Sequence, residues 1–308
     1  MDTIFIQIAS YRDPELLPTI RDCISKAKYP DNLRFCIAWQ HGEEENIDEI
    51  KEDSRFKIID IPHFQSKGAC WARNKIEQEY NGEKYTLQLD SHHRFIQDWD
   101  VIVIDMFESL KVKGYKPLLT SYVSSYDPED DRIENRSKEP WKMHFDKFTD
   151  DGSISVLPAI MHDWKELNEP IVAHFYSAHF CFASGEFCKE VTHDPELYFH
   201  GEEISITIRA YTKGYDLFHP HRMIAWHEYT RKNRVKHWDD FNNENRDKGK
   251  CEKAWWQLDM DSKKRLRQLL QLEDNGTDLG IYGLGSVRSL QDYEKYSNIS
   301  FKEKKLIV

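Results

Sequence analysis

The segment from Leu87 to Phe95 combines residue types that could do chemistry. Asp90 and His92 follow an apolar stretch there, two positions apart. If that stretch is a strand of a parallel sheet, both side chains lie at its carboxyl edge, where open α/β sheets bind ligands. A carboxylate and an imidazole at that edge could hold a divalent ion. The alternative is that Asp90 only caps the following turn and that His92 is a surface imidazole. The segment alone leaves both interpretations open.

A βαβ rhythm in the first half of the chain predicts the strand that would position this segment. Ile4–Ala9 is a short apolar run, and Asp13-Pro14 predicts an N-cap and a first-turn proline for a helix whose apolar residues recur at helical spacing. Further strands are predicted at 35–39, 57–61, 85–89 and 118–123, and further helices at 69–80 and 100–110. The alternation favours an α/β fold with a mostly parallel sheet flanked by helices.

The pattern changes in the second half of the chain. Residues 126–170 are charged and turn-rich without periodicity, which is typical of a functional loop or lid, and we expect them to be mobile without ligand. Order resumes with an apolar run at 171–183 and a helix at 202–211. We therefore predict a main domain over 1–236 and a helical C-terminal extension over 237–308 that packs on it.

Composition narrows the class of protein. The 308 residues carry a net charge of −11, which argues against nucleic-acid binding by bulk charge but leaves a local basic patch open. The apolar stretches are far shorter than the roughly 20 residues of a membrane span, so none is expected. The N-terminus shows no targeting signal, and the six cysteines are widely spaced without a C-x-x-C pair. We expect a cytoplasmic protein with reduced thiols.

Several common active-site motifs are missing from the sequence. There is no G-x-x-x-x-G-K-[ST] loop, and the G-x-G at Gly283 comes late without a preceding strand. There is also no G-x-S-x-G elbow for a serine nucleophile. P-loop enzymes, dinucleotide-binding dehydrogenases and serine hydrolases are therefore disfavoured.

A family resemblance emerges when the remaining motifs are taken in order. They are Ile8–Glu15, Lys67–Asn74, Gln88–His92, Gly201–Ser205, Tyr211–Asp216, Trp226–Arg231 and Tyr282–Ser286. This series resembles the GT-A-fold GlcNAc-transferases that modify hydroxyproline on a cytoplasmic ubiquitin-ligase adaptor. The similarity spans roughly 1–125 and 171–301, and it is lost in the segment between them. The main domain would then be the GT-A-like catalytic domain, with 126–170 as a variable acceptor loop or lid.

The resemblance implies a metal-dependent, configuration-retaining transfer of GlcNAc from UDP-GlcNAc to a hydroxyl group. It leaves open whether the acceptor is a protein, a glycan or another hydroxyl compound, and it does not separate GlcNAc firmly from other UDP-linked sugars. The implied metal ligands are Asp90, His92 and His227, and we expect His93 to point elsewhere. A mixed carboxylate and imidazole set suits Mn²⁺ better than Mg²⁺, although Mg²⁺ stays open.

The resemblance also implies the roles of other side chains. Glu202 and Glu203 would face the donor sugar and the reaction centre. Their place in the first turn of a helix favours ionised carboxylates, and ordinary helix-terminal charge is the alternative. The residues implied to contact the nucleotide are Ser10, Tyr11, Arg12, Arg73, Asn74, Asp90, Ser91 and Arg231. For the arginines, surface salt bridges are the alternative.

Two rival functions remain at this point. A metal-dependent hydrolase could use Asp90, His92 and His227 to activate water, although such sites usually have a denser ligand set. That interpretation also leaves Lys67–Asn74 unexplained. A catalytically silent carbohydrate-binding protein on the same fold is the other rival, and the presence of all three candidate ligands argues against it.

Overall fold

A computed structural model of the chain describes residues 2–232, 234–273 and 277–307. Its strands are β1 (Ile4–Tyr11), β2 (Leu33–His41), β3 (Phe56–Pro62), β4 (Tyr85–Leu89), β5 (His93–Phe95), β6 (Pro117–Thr120), β7 (Ser124–Ser125), β8 (Trp141–Phe148), β9 (Ile154–Ile160), β10 (Ile171–Val172), β11 (Phe180–Ser184), β12 (Asp216–His219), β13 (Ala225–His227), β14 (Ile299–Ser300) and β15 (Lys305–Leu306). Its helices are α1 (Leu16–Lys26), α2 (Asp48–Lys51), α3 (Ala69–Glu77), α4 (Trp99–Val112), α5 (Phe187–Glu190), α6 (Glu202–Thr212), α7 (His237–Asp240), α8 (Asn243–Asp247), α9 (Trp255–Leu269) and α10 (Leu290–Ser297).

An eight-stranded sheet in the order β10-β12-β6-β11-β4-β1-β2-β3 forms the centre of the molecule. The run β4-β1-β2-β3 is parallel, and β12 is parallel to β6. The short β10 and the central β11 run antiparallel to their neighbours. The sheet is therefore mostly parallel, as the βαβ rhythm predicts.

Burial on both faces explains why the central strands are mostly apolar. Ile4, Ile6 and Ile8 of β1 face a core shared with α1 and α4, whereas Phe5 faces the opposite core with α3. All five residues of β4 are buried. Strands covered by helices on both sides lose the alternation of polar and apolar residues that marks a one-sided sheet.

Strand pairing delivers the chemistry-bearing segment to one edge of the sheet. Leu89, the last residue of β4, pairs with Ile8 of β1, so Asp90 follows at the carboxyl edge of both strands. In a second, smaller sheet, β13 runs antiparallel to β5 and places His227 opposite His93. Residues that are far apart in sequence therefore meet at one edge.

The structure differs from the sequence-based expectation at two places. Helix α1 begins at Leu16, and the predicted cap Asp13 lies before it, accepting a hydrogen bond from the Glu15 backbone N–H at 2.9 Å. Residues 126–170 contain an antiparallel hairpin, β8 with β9, although their composition predicts no regular structure. Most residues of β8 are half-buried or exposed, so no simple alternation marks it.

The hairpin and the C-terminal helices share one apolar core. Met143 and Phe145 of β8 pack in a cluster with residues of α6, α9 and α10. Helices do occupy the region of the predicted C-terminal extension. The boundary at 236/237 and the acceptor role of 126–170 stay predictions, and residues 1 and 308 of the predicted domains lie outside the described range.

Two compositional expectations can be compared with the structure. All six cysteines are buried and free of disulfides, as their spacing predicts. Among the described residues, no helix has the length and apolar character needed to cross a membrane.

Candidate active site

A cavity of about 480 Å³ lies at the carboxyl edge of β1 and β4. Its size is within the range of small-molecule and cofactor sites. The end of β1, the start of α3, the segment after β4, the first turn of α6 and the residues after β13 supply its lining. The strand edge that the sequence singles out is therefore a concave surface.

Asp90, His92 and His227 converge on the floor of this cavity. One ligand atom from each residue lies within 4.8 Å of the other two. Asp90 Oδ2 is 3.3 Å from His227 Nε2 and 3.6 Å from His92 Nε2. The structure thus brings together the three side chains that the resemblance implies as metal ligands.

The charge state of these groups fits a divalent cation. Burial alone would raise the pKa of Asp90, but the hydrogen bond from His227 and the charge of Arg73 hold it well below its ordinary value. Burial lowers the pKa of His227, so its ring is neutral and keeps a lone pair. Metal ligands must be deprotonated in this way. His227 Nε2 lies within hydrogen-bond distance of Asp90 Oδ2, whereas its Nδ1 is buried without a hydrogen-bond partner among the described residues.

Arg73 links the candidate metal ligands to α6. Its guanidinium lies 2.7 Å from Asp90 Oδ1 and 3.1 Å from Glu202 Oε1. Asp90 therefore uses one oxygen for Arg73 and turns the other toward the two histidines. Arg73 and Glu202 are almost completely buried, with side chains 5% and 4% exposed, so they form an interior ion pair.

His193 extends the ion pair of Arg73 and Glu202 away from the cavity. His193 Nε2 is 3.1 Å from Glu202, and His193 Nδ1 is 2.7 Å from Glu77 on α3. Burial alone would lower the pKa of His193, but Glu77 and Glu202 raise it above its ordinary value. Glu77, His193, Glu202, Arg73 and Asp90 therefore alternate in charge. In this series the three inner charges, on His193, Glu202 and Arg73, each have an oppositely charged neighbour on both sides, which holds the side chains in place.

Glu203, next in sequence, lies in a different environment. Its carboxylate accepts hydrogen bonds from the Ala178 backbone N–H at 3.0 Å and from the Tyr122 hydroxyl at 2.7 Å. Both donors are uncharged, and burial raises the pKa of Glu203 to about 7. The first turn of α6 thus presents one ionised carboxylate and one that takes up a proton near neutral pH.

Sequence reasoning missed Asp13, His179 and Arg234, whose side chains contact the candidate ligands. Asp13 Oδ2 lies 2.7 Å from His92 Nδ1, whereas the sequence suggested only a helix cap. The ring of His179 stacks on His227 at a centroid distance of 4.1 Å. Asp13-Pro14 carried a signal for a turn but none for a metal site, and His179 lies in a segment without any motif.

His93 is not one of the three gathered side chains, although it lies close to them. Its Nδ1 is 3.1 Å from the Asp90 backbone oxygen, and its ring is 4.9 Å from that of His227. Burial lowers its pKa, so it is neutral. The ring is a buried packing neighbour of the site.

The predicted nucleotide contacts divide into two groups. Those that line the cavity are Tyr11, Arg73, Asp90, Ser91 and Arg231. Ser10, Arg12 and Asn74 lie outside the lining. The Ser10 backbone oxygen accepts from Gln40, Arg12 pairs with Glu44 and Asp240, and Asn74 donates to the His193 backbone oxygen.

The sequence profile of the glycosyltransferase (GlcNAc) family matches residues 3–53 and 44–303. The chain belongs to this family. No curated protein is significantly similar to it in sequence.

Solved structures share its fold at low sequence identity. A crystal structure of GalNAc-T7 with UDP, GalNAc and Mn²⁺ superposes with a TM-score of 0.60 at 13% identity, over 98% of this chain and 55% of that one. A crystal structure of S. aureus TarS gives a TM-score of 0.50 at 10% identity, over 75% of this chain and 37% of that one. The glycosyltransferase chain therefore spans about half the length of GalNAc-T7. The likeness confirms the predicted GT-A-like fold.

Proposed function

We propose that this glycosyltransferase transfers GlcNAc from UDP-GlcNAc to a hydroxyl acceptor with retention of configuration. The observation that carries the proposal is the convergence of Asp90, His92 and His227 beside Glu202 and Glu203 in one cavity of a GlcNAc-family chain. Family membership supports the sugar. The UDP and Mn²⁺ named for the GalNAc-T7 structure support the nucleotide and the metal.

Asp90, His92 and His227 would hold the ion, with Mn²⁺ favoured by the mixed oxygen and nitrogen donors. When bound, a divalent ion neutralises charge on the departing diphosphate. Arg73 fixes the direction of the Asp90 carboxylate, and Arg231 adds a cation to the cavity lining. These side chains would bind and orient the donor without large rearrangement, because most of them are already paired in the interior.

The two glutamates suit hydrogen bonding to the sugar better than proton abstraction. Glu202 is engaged by Arg73 and His193, and Glu203 is engaged by Ala178 and Tyr122. A retaining transfer needs no protein base if a leaving phosphate oxygen takes the acceptor's proton. The commitment of both carboxylates therefore supports retention.

The acceptor and the location of the protein are finer parts of the proposal. The ordered motifs resemble the hydroxyproline-modifying transferases, so we include a hydroxyproline-bearing protein as the first acceptor to test. Six buried, unpaired cysteines support a reducing compartment such as the cytoplasm.

A donor-hydrolysis screen tests the central claim, since many glycosyltransferases hydrolyse their donor slowly without an acceptor. The purified chain is incubated with Mn²⁺ and UDP-GlcNAc, UDP-GalNAc, UDP-glucose, GDP-mannose or CMP-sialic acid, and nucleotide release is measured. We expect the fastest release from UDP-GlcNAc and almost none from His227→Ala. Preferential cleavage of the GDP or CMP donor would contradict the proposal.

The anomer released by hydrolysis separately tests retention. Proton NMR during the first turnovers shows which anomer of GlcNAc forms before mutarotation. Initial α-GlcNAc from the α-linked donor is expected. Initial β-GlcNAc would indicate inversion and would reassign a carboxylate as general base.

A further inference from the structure

We propose that Asp13 is a positioning residue that orients His92 toward the metal by accepting the hydrogen of the ring's Nδ1–H. The inference rests on the proposed metal site. It adds a residue outside the three candidate ligands and outside the helix-capping role that the sequence suggests.

Asp13 Oδ2 is a hydrogen-bond acceptor at one ring nitrogen of His92, and Arg234 Nη1 lies close to both ring nitrogens. Nδ1 lies 2.7 Å from Asp13 Oδ2, a hydrogen-bond distance. Nε2 lies 3.6 Å from Asp90 Oδ2, on the side where His227 also approaches. A neutral imidazole that donates from Nδ1 must carry its lone pair on Nε2. The contact to Asp13 therefore selects the tautomer whose lone pair faces the other candidate ligands.

Asp13 is itself held rigidly, which a positioning residue requires. Its Oδ2 also accepts from the Ser91 hydroxyl and from Arg234 Nη1, both at 2.8 Å. Its Oδ1 accepts from the Glu15 backbone N–H, and the side chain is only 3% exposed. The carboxylate is thus fixed from the start of α1 and from the segment after β4.

The chemistry matches a general property of metal sites in proteins. A ligating histidine usually donates its other N–H to a carboxylate or carbonyl, which fixes the ring and raises its basicity. Loss of such a partner typically weakens metal affinity by about 10–100-fold. Asp13 is the carboxylate that contacts the second nitrogen of His92.

Arg234 provides the competing explanation that the test must separate. Its Nη1 contacts Asp13 and lies close to both His92 nitrogens, Nδ1 and, at 3.0 Å, the Nε2 that would face the metal. A guanidinium only donates, so a hydrogen bond from Arg234 to Nδ1 would favour the opposite tautomer. Removing Asp13 releases Arg234 as well, so a change in metal affinity could come from either residue. An Arg234→Gln variant removes the guanidinium while leaving the Asp13 to His92 contact in place.

The first measurement is the tautomer of His92 in the metal-free chain, read from ¹⁵N shifts after histidine-selective labelling at about pH 8.5, where imidazole is neutral. The His92→Gln spectrum assigns the signal. We expect a protonated Nδ1 and an unprotonated Nε2 in the wild type and in Arg234→Gln. In Asp13→Asn we expect a shift toward the Nε2–H form. The amide oxygen would accept from the Glu15 backbone N–H, so the amide NH₂ would face His92 Nδ1 as a donor. A wild-type ring protonated on Nε2 alone would overturn the proposal whatever the enzyme's activity.

The second measurement is the affinity for Mn²⁺ alone, followed by electron paramagnetic resonance of the free ion. Asp13→Asn should bind about 10–100-fold more weakly than the wild type. Asp240→Asn is the matched control, since Asp240 also lies near the end of β1 but contacts Tyr11 and Arg12 instead of His92. It should bind Mn²⁺ as the wild type does.

The remaining outcomes distinguish a failure of the proposed Asp13 role from a failure of the proposed metal site. Wild-type affinity in Asp13→Asn, or an equal loss in Arg234→Gln, would overturn the role of Asp13. If the wild type binds no Mn²⁺ but shows the Nδ1–H tautomer, the tethering by Asp13 stands while the metal site of the proposed function fails.

Discussion

The two walls of the cavity are built from different chemistry. One, which we call the charged wall, consists of Asp13, Arg73, Asp90 and Glu202, whose charges are paired with one another or with buried histidines. The other, the aromatic wall, consists of Ile154, Phe199 and Trp238, and the proposed donor contact Arg231 lies against its two rings. In the aromatic wall, Phe199 is 45% exposed, and the Arg231 guanidinium lies 5.5 Å from its ring and 5.4 Å from that of Trp238.

This difference predicts that the two walls bind different parts of the reactants. A buried charge network holds fixed positions, which suits a diphosphate and a metal whose geometry does not vary. The partly exposed rings of Phe199 and Trp238 can adapt to different surfaces, which suits an acceptor. The contrast predicts that substitutions in the charged wall affect stability and metal binding, whereas substitutions in the aromatic wall affect acceptor use.

The largest effect on stability is expected from Arg73→Met, which removes the cation shared by Asp90 and Glu202. Breaking a buried ion pair from one side costs about 3–5 kcal/mol, because the remaining charges stay buried. Arg12→Met is the matched control: Arg12 pairs with Glu44 and Asp240 but is 20% exposed, so about 1 kcal/mol or less is expected. Urea unfolding measures the loss of unfolding free energy in both variants. Equal losses would contradict the claim that the charged wall contributes more to stability than a partly exposed ion pair does.

His92→Ala should strongly reduce both Mn²⁺ affinity and donor hydrolysis. We expect a loss of turnover of about 100–1,000-fold, similar to removing one group that stabilises developing charge. His93→Ala removes a neighbouring ring that contacts His227 only by packing, so we expect less than about a tenfold loss of turnover. Circular dichroism checks that both variants fold. Comparable losses of metal affinity would mean that His93 also ligates.

Much of the charged wall could be predicted from the sequence. The strand ending before Asp90 is mostly apolar, and the ends of parallel strands share one edge, so the location of Asp90 and His92 follows from pattern and topology. The inclusion of His227 came only from the family resemblance, because its approach depends on the pairing of β13 with β5.

The remaining parts depend on contacts that no local pattern encodes. The pairing of Asp13 with His92 joins two strand ends, and the stacking of His179 on His227 depends on the path of the chain before β11. The residues of β8 and β9 are mostly half-buried or exposed, and β8 carries several charged residues. Neither strand therefore shows a clear alternation of buried and exposed positions. Its register is set by packing against α6 and the C-terminal helices.

The two adjacent glutamates should differ in how their contributions to the free energy of unfolding depend on pH. The pKa of Glu203 is raised to about 7, so its stabilising contribution is present at low pH and is lost as pH rises through 7. We expect Glu203→Gln to gain roughly 2–3 kcal/mol of unfolding free energy relative to wild type between pH 5 and pH 8. The pKa of Glu202 is lowered, because Arg73 outweighs burial, and its contribution is lost only as pH falls below the ordinary glutamate range. Glu202 itself therefore stays ionised over the same interval, and the difference between Glu202→Gln and wild type should change only through neighbours whose pKa Glu202 raises, His193 above all. Urea titrations of metal-free protein at both pH values measure this, and a Glu203→Gln difference that stays constant would contradict the assigned environment of Glu203.

The smallest effect is expected in the aromatic wall, where Trp238→Ala removes a ring that contacts Phe199 and Arg231. Truncating an aromatic contact residue typically costs more than about 1 kcal/mol of binding, so the KM for a hydroxyproline peptide should rise about tenfold. Donor hydrolysis without acceptor should change much less, because the charged wall is intact. Trp255→Ala is the matched control, since Trp255 is an exposed tryptophan on α9 that does not line the cavity. If Trp238→Ala impaired donor hydrolysis and peptide transfer equally, the aromatic wall would belong to the donor site, and the division between the two walls would be wrong.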